Sequence, residues 1–202
     1  MILPLGEWVL LEAGRQARRW REHDGLNTAV SVNLSARQLM RPDLTARVAT
    51  MLETTGADPA DLCLEITEGT LLVDLTAAVR HLSELRSLGV RISIDDFGTG
   101  YSSLAYLRTL PLDELKIDRS FVTPVAEDPS AAAIVASVVS LGHALGLLVV
   151  AEGVETAAQL ATLRDLGCDL AQGYYLARPG PAGDITSILR RPPLPAAWPL
   201  SR

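Results

Sequence analysis

The stretch Val90-Arg91-Ile92-Ser93-Ile94-Asp95-Asp96-Phe97-Gly98-Thr99-Gly100 runs from an apolar, β-like segment straight into two adjacent carboxylates and two glycines. Neighbouring residues on a strand point to opposite faces. Two adjacent aspartates can therefore serve one site only if the strand stops there and the backbone turns, which places the doublet at a strand's C-terminal end. The ordinary alternative is an Asp-rich turn with no chemistry attached. The other strand ends of the chain decide between the two.

Arg86-Ser87-Leu88-Gly89-Val90, just before the doublet's strand, has two counterparts, His143-Ala144-Leu145-Gly146-Leu147 and Arg164-Asp165-Leu166-Gly167-Cys168. Each closes a helix-period segment with a glycine and passes into an apolar run. Glycine supplies the left-handed conformation after a last helical turn, so each is a helix-to-strand joint. Strands are expected at 29–33, 62–66, 90–95, 114–117, 147–151 and 169–172. Helices are expected at 5–21, 43–55, 74–87, 129–145 and 156–166, with a capping box at Ser35-Ala36-Arg37-Gln38. Short apolar runs without strict alternation suit parallel strands covered on both faces. Helical crossovers between them mean an α/β chain with a parallel sheet, open or closed as a barrel.

Every expected strand delivers a polar group at or near its C-terminal end. Asn33 ends the first, Glu65 nearly ends the second with Glu68 three residues on, and Asp95 and Asp96 end the third. Lys116 sits in the fourth, Glu152 follows the fifth and Gln172 closes the sixth. In parallel α/β folds that edge binds ligands, and in a (β/α)8 barrel all such ends converge on one mouth. Loops are polar anyway, but six ends out of six, mostly acidic, weigh against the bland turn. Lys116 is the only lysine among 18 cationic residues. In so arginine-rich a chain it indicates that a compact amine is needed, rather than a lysine snorkelling at the core's edge. His23, His81 and His143 fall on helices or helix ends, where solvated or packing roles prevail. Several carboxylates and an amide oxygen, without clustered His or Cys, describe a site for Mg2+ or Mn2+ rather than Zn2+. Two such ions, about 3.5–4 Å apart, are the arrangement for in-line transfer at a phosphodiester.

At 202 residues, 48% hydrophobic and 21% charged, the chain is long enough for one large core, and one domain is the simpler organisation. A net charge of −6 argues against binding a nucleic acid polymer, whose affinity comes mainly from clustered cations. Cys63 and Cys168 lie in apolar stretches without metal-ligand spacing and read as buried free thiols. No apolar run approaches the ~20 residues of a membrane helix, and Met1-Ile2-Leu3-Pro4 does not open a signal peptide, so a cytoplasmic location is expected. Residues 181–202 are expected to form a Pro-rich C-terminal tail after a domain spanning 1–180.

Six ordered strings resemble the EAL-domain family of cyclic di-GMP phosphodiesterases: VNLSARQL from Val32, LEITE from Leu64, IDDFGTGYSSL from Ile94, LKID from Leu115, AEGVET from Ala151 and AQGYYLARP from Ala171. The resemblance implies a (β/α)8-type, TIM-like barrel and hydrolysis of cyclic di-GMP to the linear dinucleotide pGpG with two Mg2+ or Mn2+ ions. By motif position it implies that Asn33, Glu65, Asp95, Asp96 and Glu152 are metal ligands. Lys116 then orients or helps deprotonate the attacking water, Glu68 holds the loop after Asp96, and Glu155 and Gln172 support the site. Tyr174 and Pro179 line the guanine end, and Leu176 stands where the family often has Phe.

One departure from the family pattern is large. No Glu-Ala-Leu motif is present, and Glu12-Ala13-Gly14 lies within an amphipathic helix. The chain starts where the family's second crossover helix begins, so the barrel is expected to be incomplete, with about six strands and with a metal ligand lacking. Weak or absent turnover is the expectation, with activity restored by the missing segment. The alternative is a catalytically inactive domain that binds cyclic di-GMP or a partner protein. An enolase-like barrel also uses strand-end acids and a lysine, but does not predict the Asp-Asp doublet or the pair Glu152 and Glu155. Expected partners are cyclic di-GMP, a second copy in a homodimer, and a preceding N-terminal segment or sensory or diguanylate cyclase-like (GGDEF-type) domain.

Overall fold

The computed structural model describes residues 2–71, 74–98 and 107–190. The motif residues 99–104 and the Pro-rich end 191–202 lie outside this set. The described residues fall into two compact units, one made from those of Met1–Ile94 and Ser103–Leu112, the other from those of Asp95–Ser102 and Asp113–Arg202.

In the first unit, α1 (Ile2–Glu22) buries Leu10, Ala13, Gly14, Ala17 and Trp20, a stripe at helical spacing. Strand β1 (Val30–Asn33) runs parallel to β2 (Leu62–Thr67), with Asn33 in register with Glu65. The core of β2, from Leu62 to Ile66, is buried throughout, Glu65 included, as suits a largely apolar strand covered on both faces. Between them lie α2 (Ala36–Leu39), opened by the expected Ser35–Gln38 capping box, and α3 (Leu44–Thr55), closed by Gly56 in the left-handed region. After β2 come α4 (Glu68–Leu71) and α5 (Leu75–Ser87), where Asp74 accepts the Ala77 amide at 3.0 Å. His81 is buried on α5, and its Nδ1 donates to the Leu39 carbonyl at 2.7 Å, the packing role expected of it.

Strand β3 (Arg91–Phe97) begins in the first unit, and its last three residues belong to the second. There β4 (Glu114–Ile117), β5 (Leu148–Ala151) and β6 (Leu170–Ala171) pair in parallel, Lys116 opposite Val150 and Ala151 opposite Ala171. Strand order follows chain order, β1-β2-β3-β4-β5-β6. The helices are α6 (Arg119–Val122), α7 (Pro129–Ala144), α8 (Ala157–Asp165) and α9 (Ala182–Leu189). A capping box of Thr156 and Gln159 starts α8.

The structure departs from expectation at three places. Strand β3 does not stop at Asp95 but continues to Phe97, because a single residue, Asp96, takes the left-handed region (φ 55°) inside the strand. Strand β6 is shorter than expected. The segment assigned to the tail opens with α9, for which Pro181 supplies a pre-set φ of −56° and Ile185, Ile188 and Leu189 the apolar positions. Both cysteines are free and buried, as expected. Burial, then the neighbouring Asp169 charge, pushes the Cys168 thiol up to about 12. Among the described residues no helix is long and apolar enough to cross a membrane.

Candidate active site

The left-handed Asp96 resolves the puzzle of the doublet. A regular strand would send Asp95 and Asp96 to opposite faces. With Asp96 at φ 55°, its amide donates to Asp95 Oδ1 at 3.0 Å, and the two side chains are brought round together. Asp tolerates this conformation better than most residues because its short polar side chain bonds locally. Asp95, Asp96 and Glu152 then each offer a carboxylate oxygen within 4.8 Å of the others.

Lys116 is the cation of this cluster. It projects from β4, is only 3% exposed, and places Nζ 2.5 Å from Glu152 Oε1 and 3.6 Å from Asp95 Oδ1. Asp96 titrates above the ordinary aspartate range, first because burial disfavours its charge, then because Asp95 and Asp118 repel it, with Lys116 opposing. Asp118 goes the other way. Burial works to raise it, but the Ser120 hydroxyl and amide, the latter at 3.0 Å, together with the Arg119 amide and charge, outweigh burial and hold it low. Crowded carboxylates, one of them reluctant to ionise, form a site that gains from added positive charge. The donors are all oxygens, so the residues fit a hard divalent cation.

A cleft of about 310 Å³ opens beside the cluster, lined by Asp96, Asp118, Arg119, Glu152, Gly153, Glu155, Gln172, Gly173 and Tyr174. Two glycines shape it. Gly153 (φ +72°) lies where an added Cβ would come within 2.5 Å of Arg119 Cβ, and a Cβ on Gly173 would lie 2.2 Å from the Val154 backbone nitrogen and oxygen. Close backbone packing thus ties the loop after Glu152 to the turn bearing Tyr174.

Of the expected site residues, the second unit gathers Asp95, Asp96, Lys116, Glu152, Glu155, Gln172 and Tyr174 around this cluster and cleft. Pro179 is exposed and is not among the lining residues. Asn33, Glu65 and Glu68 belong to the first unit, where Asn33 and Glu65 sit side by side at the ends of β1 and β2. Glu68 opens α4, 7% exposed, and neither carboxylate oxygen has a hydrogen-bond partner among the described residues. Sequence reasoning assigned no role to Asp118 and Arg119. A signal was present, since Asp118 stands two residues after Lys116, the spacing that returns to the same side of an extended chain.

The described residues form an α/β architecture with six strands. A sequence model of the EAL domain family matches residues 1–179, and the chain belongs to that family. It is 49% identical over 185 residues to the bifunctional diguanylate cyclase/cyclic di-GMP phosphodiesterase MucR of Pseudomonas aeruginosa, covering 92% of this chain and 27% of MucR. It is 44% identical over 200 residues to the cyclic di-GMP phosphodiesterase NbdA of the same organism, covering 99% of this chain and 26% of NbdA. The chain thus spans about a quarter of the length of these curated relatives. Among solved structures, the PaMucR phosphodiesterase in its c-di-GMP complex superposes with a TM-score of 0.85 at 48% identity, over 91% of this chain and 74% of that one. The EAL domain of Mycobacterium smegmatis DcpA gives 0.86 at 41% identity, over 92% and 83%.

Proposed function

We propose that the domain spanning 1–180 hydrolyses cyclic di-GMP to linear pGpG. The observation that carries this reading is the convergence of Asp95, Asp96 and Glu152 oxygens within 4.8 Å, with buried Lys116 against Glu152 and Asp95. Two Mg2+ or Mn2+ ions, when bound, would neutralise the diester and make water a better nucleophile. Asp95, Asp96 and Glu152 would hold them, with Asn33 and Glu65 as further ligands.

The chain's own residues do the rest. Charged Lys116 donates to water and aims it at phosphorus. Lys116 is assigned to orient that water or to help remove its proton, its amine being held against Glu152 and Asp95 at the centre of the cluster. The new P–O bond forms as one ester P–O bond breaks, opening the ring to the linear dinucleotide. Glu155 and Gln172 line the cleft as supports, and Tyr174 and Pro179 are assigned to the guanine end. Glu68 is assigned to hold the loop after Asp96. Its support is the pair of buried oxygens without a hydrogen-bond partner among the described residues, a costly state for a purely structural carboxylate.

A cytoplasmic location, a homodimer and a preceding sensory or diguanylate cyclase-like domain belong to the same reading. The relatives, about four times longer than the matched region, support the last of these. A non-catalytic domain that binds cyclic di-GMP is the second reading, which the cleft beside Asp96, Glu152 and Tyr174 serves equally well.

The test is chromatography of cyclic di-GMP incubated with the chain and Mn2+, beside an Asp95→Asn control. pGpG from the wild type alone supports the phosphodiesterase. Saturable binding without product supports the second reading, and neither product nor binding overturns both.

A further inference from the structure

The segment after β6 is a built turn. Val154 N–H donates to the Gln172 carbonyl and Tyr175 N–H to the Val154 carbonyl, both at 3.0 Å, so the turn is fastened to the loop that follows Glu152. Leu176 and Ala177 N–H both donate to the Gly173 carbonyl, at 3.0 and 3.1 Å. That single helical turn brings residues four apart onto one side. The Arg178 guanidinium accordingly lies over the Tyr174 ring, 5.1 Å from its centroid. Tyr174 lines the cleft with Asp96 and Glu152. Among the described residues Arg178 makes no hydrogen bond or ion pair, although acidic groups line the cleft beside Tyr174. Its described interaction is the ring alone.

We propose that Arg178 is a positioning residue that fixes Tyr174 as a one-sided stacking platform for a guanine of cyclic di-GMP. The inference rests on the substrate reading above. A guanidinium over one face of a tyrosine leaves a single face for a planar ligand, and its positive charge favours contact with an electron-rich ring. Holding the ring in place before binding removes part of the ordering cost that the ligand would otherwise bear. Bases stack on aromatic side chains with enough energy for loss of the platform to be measured. A purine offers more stacking area than a pyrimidine, so the platform also sets a preference between cyclic dinucleotides.

The test is equilibrium binding of cyclic di-GMP and cyclic di-UMP to the whole chain, with Arg178→Ala, Arg178→Lys, Tyr174→Ala and the double variant. Both side chains are exposed, and unchanged circular-dichroism melting checks that the fold persists. Arg178→Ala is expected to weaken cyclic di-GMP binding about tenfold, and cyclic di-UMP less. Arg178→Lys, which keeps the charge without the planar group, falls between. In a Tyr174→Ala background, Arg178→Ala has no further effect. Wild-type affinity in Arg178→Ala, or an undiminished effect without Tyr174, overturns the inference and leaves the substrate reading intact. A wild-type chain that binds no cyclic di-GMP overturns both.

Discussion

Lys116 and Glu152 meet across neighbouring strands, Nζ to Oε1 at 2.5 Å, although they are not register partners. Val150 stands opposite Lys116, and Glu152 lies two residues further along, just beyond β5. Two residues of extended chain advance about 6.6 Å. Only a long, unbranched side chain leaning toward the C-terminal edge spans that offset.

The pair makes Lys116 sensitive to both size and charge. Lys116→Arg is expected to lower cyclic di-GMP turnover by at least about 100-fold, because a planar fork replaces a compact amine in a buried slot. Far-ultraviolet dichroism should stay native. Near-normal rates in a chain whose wild type is active would remove Lys116 from the reaction. Lys116→Met instead removes the cation that Glu152 and Asp95 share. It is expected to cost about 3–5 kcal/mol in chelator, read as a lowered Tm and recovered in part by millimolar Mg2+.

Divalent cations should stabilise the wild type. At 100 times Kd, binding to the folded state alone adds about 2.7 kcal/mol, seen as a Tm rise with Mn2+ or Mg2+ over a chelator control. Asp95→Asn removes one carboxylate from the converging three and should abolish most of that rise. An equal rise in the variant would place the bound cation elsewhere.

Gly173→Ala and Gly183→Ala should differ in sign. A Cβ at Gly173 would meet the Val154 backbone at 2.2 Å, whereas nothing stands within 4 Å at Gly183. The first is expected to cost at least about 1–3 kcal/mol and to weaken ligand binding. The second, in the exposed helix α9, should be neutral or stabilising by up to about 1 kcal/mol. Urea melts of both variants measure this.

Cys168 should resist thiol reagents until the chain unfolds. Its thiol is raised to about 12 in the fold against 9.0 ordinarily. The unfolded state therefore releases this proton first as pH rises. The contribution of Cys168 to stability is complete below pH 9.0 and is lost progressively as pH climbs toward 12. Labelling with a chromogenic disulfide at pH 8, with and without denaturant, tests its protection, and melts between pH 8 and 11 test the sign.

Much of this was legible locally. Glycine after a helical run marks a helix end whatever surrounds it, which is why Gly89, Gly146 and Gly167 located three joints, all observed at positive φ. The run 62–66, apolar but for Glu65, gave a buried strand because burial on both faces leaves little polar alternation to follow. The capping box at Ser35 was readable because its partner Gln38 lies three residues on, and the same spacing joins Thr156 to Gln159, a box found only in the structure. The helix 182–189 was missed because flanking prolines dominated the reading of that segment, though it carries an apolar pattern of its own.

The sequence by itself determined which residue types stand at each strand end, because strand period and helix-to-strand joints are set by neighbours along the chain. It also determined that one compact amine would accompany the acids. Tertiary structure decided how they meet. A left-handed Asp96 within a continuing strand, the two-residue offset of Lys116 onto Glu152, and the packing of Gly173 on Val154 depend on backbone conformation and on contacts between residues far apart in the chain. Local propensity does not encode those contacts, because their energies arise only when the packed neighbours are already in place.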